Sequence, residues 1–96
     1  MRYAWWGYVK DMIRRYPSGN LTLSELHAVE AAISAVKRMP GGMARLKVVD
    51  LVLWKGTHTL EGAAQIVHCS ERTARRWIYK FVLETAKNFR CDGLIS

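Results

Sequence analysis

A chain of 96 residues, half of them apolar, with a formal net charge of +7, is long enough for one domain with a modest core. It is too short for a doubly wound cofactor-binding fold with a second substrate domain, and four Trp and four Tyr argue against disorder despite the charge. No apolar run reaches the length of a membrane-spanning helix.

The opening residues Met1 to Trp6 run into Gly7 and Lys10-Asp11, which does not fit a secretory signal peptide. Two cysteines do not make a disulfide framework, so a reduced, cytoplasmic protein is expected. Fifteen Lys and Arg against eight Asp and Glu suit a polyanionic partner. The charge is uneven: residues 70–90 hold six basic and two acidic side chains, whereas residues 22–58 hold five and three, an ordinary solvated mixture.

The first segment, residues 3–16, places Trp5, Val9, Met12, Ile13 and Tyr16 on one face of a helix. Arg2, Lys10, Arg14 and Arg15 fall largely elsewhere. Trp6 lies off the stripe. Its size favours burial, yet it is the segment's best candidate for contact with a partner. Trp5, Trp6 and Tyr8 could also stack on single-stranded bases, but their helical spacing with Val9 and Met12 fits a core better. Pro17-Ser18-Gly19-Asn20 ends the segment with loop chemistry.

The second segment opens with a capping box, Thr22 as N-cap and Glu25 at the third helical position. Leu26, Val29, Ile33 and Val36 then form a narrow stripe through about Arg38. It suits packing within the chain or, as the sharper alternative, a self-associating seam that would make a homodimer. Pro40-Gly41-Gly42 closes the segment. The third, residues 43–54, is apolar on more than one side through Leu46, Val48, Val49, Leu51, Val52 and Leu53. Its β-branched content also fits a strand, but no partner strand is apparent, so a buried helix is expected, with Gly56 as its C-cap.

Two further helices are expected. Thr59 is a good N-cap with Glu61 in the first turn, and Ala63, Ala64, Ile66 and Val67 form an apolar patch. After a break at His68-Cys69, Ser70 caps a long helix to about Asn88. Its buried stripe is read as Ala74, Trp77, Ile78, Phe81, Val82 and Phe89. Arg72, Arg75, Arg76, Tyr79, Lys80 and Lys87 are left for the outer surface.

A helix of about eight residues, a three-residue turn and a longer basic helix describe a helix-turn-helix. Ala64 supplies the small residue at the crossing, Val67 and Cys69 flank the turn, and Ala74 and Trp77 face back. Ser70, Glu71, Arg72, Thr73, Arg75 and Arg76 then stand where a recognition helix meets the major groove. Arginine pairs bidentately with guanine, Glu71 can accept from cytosine, and Thr73 can meet a base edge or a thymine methyl. Thr59 and Ser70 can direct helix N-termini at phosphates, and Lys55, Lys80 and Lys87 suit phosphate contact. The same arginine cluster also fits a solvated helix face.

Catalytic and metal constellations are not apparent. Glu25 and Glu30 do not share a helix face, and Ser24 near His27 has no buried carboxylate or oxyanion element beside it. His58, His68, Cys69 and Cys91 lack paired metal-ligand spacing. Cys69 reads as a small apolar turn residue, and Cys91 as a free thiol near a frayed end. No enzymatic activity, metal or cofactor is expected.

The sequence resembles phage and prophage transcriptional activators of the RinA-like family. The resemblance lies in Trp5-Trp6-Gly7-Tyr8 through Arg15-Tyr16-Pro17, and in Arg45-Leu46-Lys47, Asp50-Leu51-Val52, Trp54-Lys55 and His58-Thr59-Leu60. It continues in Gly62-Ala63-Ala64, His68, Ser70-Glu71-Arg72-Thr73, Arg76-Trp77 and Ala86-Lys87-Asn88-Phe89. It covers nearly the whole chain and is weakest from Leu21 to Pro40. It implies a helix-turn-helix similar to region four of sigma factors. The implied function is sequence-specific binding of double-stranded DNA that activates phage genes, often late ones, in the bacterial host cytosol, in association with the nucleoid and without a cofactor. His68 stands where many such turns carry Gly, and Cys69 where Val or Ile is common.

The expectation is an all-α single domain of about five helices. Residues 1–57 form a supporting bundle, 58–90 the helix-turn-helix, and 91–96 a frayed tail. Two alternatives stand beside transcription regulation: DNA recognition for phage packaging, as in small terminase subunits, and a protein-interaction module that contacts RNA polymerase.

Overall fold

A computed structural model describes residues 4–90, and the expected frayed tail with Cys91 lies outside them. Five α-helices follow one another with no strand among the described residues: α1 (Trp6–Arg15), α2 (Leu23–Lys37), α3 (Gly42–Val49), α4 (Leu60–Ile66) and α5 (Glu71–Arg90). A 3-10 turn, Tyr16–Ser18, ends α1, and Gly19 leaves it at a φ of 78°. The all-α single domain of five helices is therefore the observed architecture.

α5 is the hub of the fold. All four other helices pack against it, and the molecule measures 37 × 26 × 26 Å. Its buried face consists of Ala74, Ile78, Phe81, Val82, Ala86 and Phe89, together with Thr85. The Thr85 hydroxyl donates to the Phe81 carbonyl at 2.9 Å, so this buried polar group is satisfied. Trp77, expected in that face, is only half-buried and lies under the Arg45 guanidinium, 5.6 Å from its ring centroid. The cation–π contact lets the indole stay at the edge of the core.

The α1 stripe forms as expected at Val9, Met12 and Ile13, with Trp5 and Tyr16 packed half-buried against the core, and Trp6 joins it, as its size favours. Trp6 is buried at 6% exposure, whereas Trp5 is half-buried. Trp6 is turned inward by α5, where its ring stacks on Tyr79 with centroids 4.9 Å apart. The α2 face is turned. Val29 and Val36 are buried as expected, but Ala28 and Ala32 complete the buried face, while Leu26 and Ile33 are half-buried. Small alanines let helices approach closely, and they carry little signal in a hydrophobic pattern.

The capping box of α2 forms as read: Glu25 N–H donates to Thr22 Oγ1 at 3.2 Å, and Thr22 N–H to Glu25 Oε1 at 2.9 Å. Glu25 does more than cap. It is 5% exposed, accepts from the Tyr8 hydroxyl, and pairs with Arg15 at 3.4 Å. Burial pushes its carboxyl upward, but bonds from Tyr8, the Thr22 amide and Arg15 outweigh this and hold it below its ordinary value.

The third segment is helical but not uniformly α. Asp50–Trp54 is π-helical, with Lys55 N–H donating to Asp50 O at 2.7 Å. Gly56, at a φ of 64°, then turns the chain, and Thr57 and His58 both donate to Leu51 O. Trp54 meets the Phe81 ring edge-on at 88° and lies beside Tyr16 with centroids 5.6 Å apart.

Candidate nucleic-acid interface

α4 begins at a serviceable cap, Thr59 Oγ1 accepting from Gly62 N–H at 3.1 Å. It ends in a Schellman turn: Cys69 N–H donates to Ala64 O at 2.9 Å and His68 N–H to Gln65 O at 3.3 Å. His68 takes the left-handed position at a φ of 61°, the only non-glycine with positive φ among the described residues. Histidine tolerates that region better than a β-branched residue. The expected departure from Gly thus falls at the position where Gly has a physical advantage. Cys69 is half-buried against the core.

Ser70 restarts the chain. Its Oγ accepts from Thr73 N–H at 3.1 Å, and its carbonyl accepts from Ala74 N–H at 3.0 Å. Ala64, 2% exposed, and Ala74, fully buried, belong to the same core, so the two small residues allow α4 and α5 to pack closely. The geometry is a short helix, a turn of four residues, one more than the expected three because the Schellman closure at His68 is followed by a separate cap at Ser70, and a long helix.

The outer face of α5 carries most of the expected contact residues. Glu71, Arg72, Arg75, Arg76, Tyr79 and Lys80 are all exposed. Arg75 is held by Glu71 at 2.7 Å, an i,i+4 pair that orients the guanidinium without burying it. Thr73 is half-buried and accepts a bond from the Ser70 hydroxyl at 2.9 Å, so it is partly committed to the cap. Lys55 is exposed but pairs with Asp50 at 3.4 Å, and Thr59 is engaged in its own cap. The structure therefore gathers Arg72, Arg75, Arg76, Tyr79 and Lys80 on one surface, and holds Ser70, Thr73 and Thr59 as helix-starting groups.

Two basic residues outside the expected set join this surface. Lys10 and Arg14 of α1 line one pocket with Arg75 and Tyr79. Their i,i+4 spacing on the polar side of α1 was visible in the sequence, but the docking of that side beside α5 was not. Among the described residues no three His, Cys, Asp or Glu side chains cluster to hold a metal, and no helix is long and apolar enough to cross a membrane. Comparison with protein-family models, with curated proteins and with solved structures gives no match for this chain.

Proposed function

We propose that this chain binds double-stranded DNA in a sequence-specific way through α5, as a helix-turn-helix regulator of transcription. The observation that carries the reading is the exposed face of α5. Arg72, Arg75, Arg76 and Lys80 stand there on a rigid helix, directly after a capped tight turn from a short helix. Arg72, Arg75 and Arg76 read or clamp the groove, Glu71 tunes base choice and the arginine beside it, and Lys80 neutralises phosphate. The resemblance of the sequence to RinA-like activators adds phage or prophage genes as the target and the bacterial host cytoplasm as the setting.

The test is selection of bound fragments from sheared bacterial and prophage DNA at near-physiological salt, with an Arg75→Ala/Arg76→Ala control. One promoter-proximal motif, lost in the control, is the expected result. On that motif Arg75→Ala or Arg76→Ala costs about 1–3 kcal/mol if the side chain pairs with guanine. Lys80→Ala weakens all sequences alike and flattens the salt slope by about one unit. Equal losses on the motif and on random DNA from both arginines would remove them as readers, and recovery of no fragment would overturn the proposal.

A further inference from the structure

Arg45 of α3 is a half-buried cation with no carboxylate beside it. Residues 31–49 hold Lys37, Arg38, Arg45 and Lys47 and no acidic side chain. The ion pairs among the described residues join Arg15 to Asp11 and Glu25, Lys55 to Asp50, and Arg75 to Glu71, and none includes Arg45. Its guanidinium is nevertheless held in place. It lies over the half-buried Trp77 ring, 5.6 Å from the centroid. Nη1 meets Met39 Sδ at 3.5 Å, a weak acceptor, and Nε is buried with no acceptor. A donor left in this state is costly, and a guanidinium fixed against a ring has little freedom left to lose on binding. The side chain is thus preorganised while its charge and most of its donors stay unspent. Arginine's planar fork matches the oxygens of a phosphate.

The position of Arg45 points to the source of that phosphate. Trp77 shares a strip of α5 with Thr73 and Lys80, and around the helix axis Lys80 falls between Arg76 and Trp77. The exposed arginine face therefore gives way first to Lys80 and then to Trp77 with Arg45 upon it. A helix seated in the major groove has a phosphate backbone along its flanks. We infer that Arg45 is a backbone-phosphate contact beside Lys80, held ready by Trp77, and that α3 thereby joins α5 in the DNA interface. Such a contact fixes the register of α5 on the duplex without reading sequence. The inference rests on the reading of α5 as a DNA-binding helix. It also gives Trp77 a reason to stay at the edge of the core, where its face is open to a cation.

The experiment measures the affinity of the full chain for labelled duplexes across a sodium chloride series. Wild type is compared with Arg45→Gln and with Lys37→Gln, which removes the same charge from an exposed position at the end of α2. Circular dichroism melts verify that each variant is folded. Arg45→Met, which keeps an apolar stem over Trp77, stands in if Arg45→Gln is not. Arg45→Gln is expected to lose about threefold to tenfold in affinity on all sequences alike and to flatten the salt slope by about one unit, with Lys37→Gln near wild type. Arg45→Lys, which keeps the charge, should restore most of the slope. A lowered melting temperature with an unchanged slope would make Arg45 a mere cover for Trp77 and overturn the assignment. Equal flattening by Lys37→Gln would reduce the effect to net charge and overturn it as well. In both cases the α5 reading stands. If wild type binds no DNA, both fall. Inorganic phosphate, titrated calorimetrically into the free protein, should give no saturable binding. Saturable binding lost in Arg45→Gln would reassign the site to a free anion and overturn the backbone assignment.

Discussion

Glu25 is the side chain on which α1, α2 and their connection converge. Its carboxylate accepts from Tyr8, Arg15 and the Thr22 amide while lying almost wholly out of solvent. The folded state therefore holds the proton of this carboxyl less tightly than the unfolded chain does. A carboxyl with a depressed folded value contributes stability above its unfolded value, about 4.3, and loses that contribution as pH falls through the folded value. Glu25→Gln keeps the shape and part of the cap but gives up the charge. It should lose about 1–3 kcal/mol at pH 7, measured by urea denaturation. The gap between variant and wild type should close below about pH 4. Equal stabilities at pH 7 would show that burial cancels what the bonds supply. The cap was legible at Thr22 and Glu25 because both partners lie within one turn. The bonds from Tyr8 and Arg15 cross between helices and leave no trace in local spacing.

The elements begin and end where short-range chemistry says they should. Thr22, Thr59 and Ser70 cap helices, and Gly19, Gly41, Gly56 and His68 take the left-handed positions that follow or join them. What the pattern of apolar residues did not disclose is rotation. α1 buries Trp6 more deeply than Trp5, and α2 buries alanines beside the half-buried Leu26 and Ile33, because the choice of face is made by the neighbouring helix. The widening at Asp50–Trp54 is likewise a tertiary outcome. The elbow between α2 and α3 shows how close that packing is. A Cβ on Gly42 would stand 2.4 Å from the Val36 carbonyl oxygen and 2.9 Å from that of Lys37. Neither oxygen can move without shifting the end of α2. Gly42→Ala is expected to cost about 1–3 kcal/mol, read as a lower denaturant midpoint with unchanged slope. An unchanged midpoint would show that the elbow opens freely.

At the scale of the molecule, charge and size act together. A net charge of +7 sits on a body 37 Å in its longest extent, with few ion pairs among the described residues to offset it. Self-repulsion on that scale is screened once the Debye length falls to about 10 Å, near 0.1 M salt. The free protein should therefore melt a few degrees higher at about 0.1 M sodium chloride than at about 0.01 M, by calorimetry. A lower melting temperature would mean that attractive pairs such as Arg15 with Asp11 dominate. On the proposed function, DNA affinity is expected to move the opposite way over the same range, because each phosphate contact would release counterions. Salt thus separates the two properties in one preparation. The all-helical, single-core outcome was legible at this scale from length, caps and the lack of a second strand. The face that α1 turns toward α5 was not.

The aromatic column built on Trp6 has an optical consequence. Trp5, Trp6 and Tyr79 follow one another with centroids 6.1 and 4.9 Å apart and planes inclined by 31° and 29°. Rings so close and so skewed couple their electronic transitions and give a dichroism couplet, two bands of opposite sign, that a single ring lacks. Trp6 is the first residue of α1, Trp5 is its N-cap, and Tyr79 stands on the exposed face of α5. The couplet therefore reads the seating of one helix on the other, and should fade when α1 lifts away even while the total helix content holds.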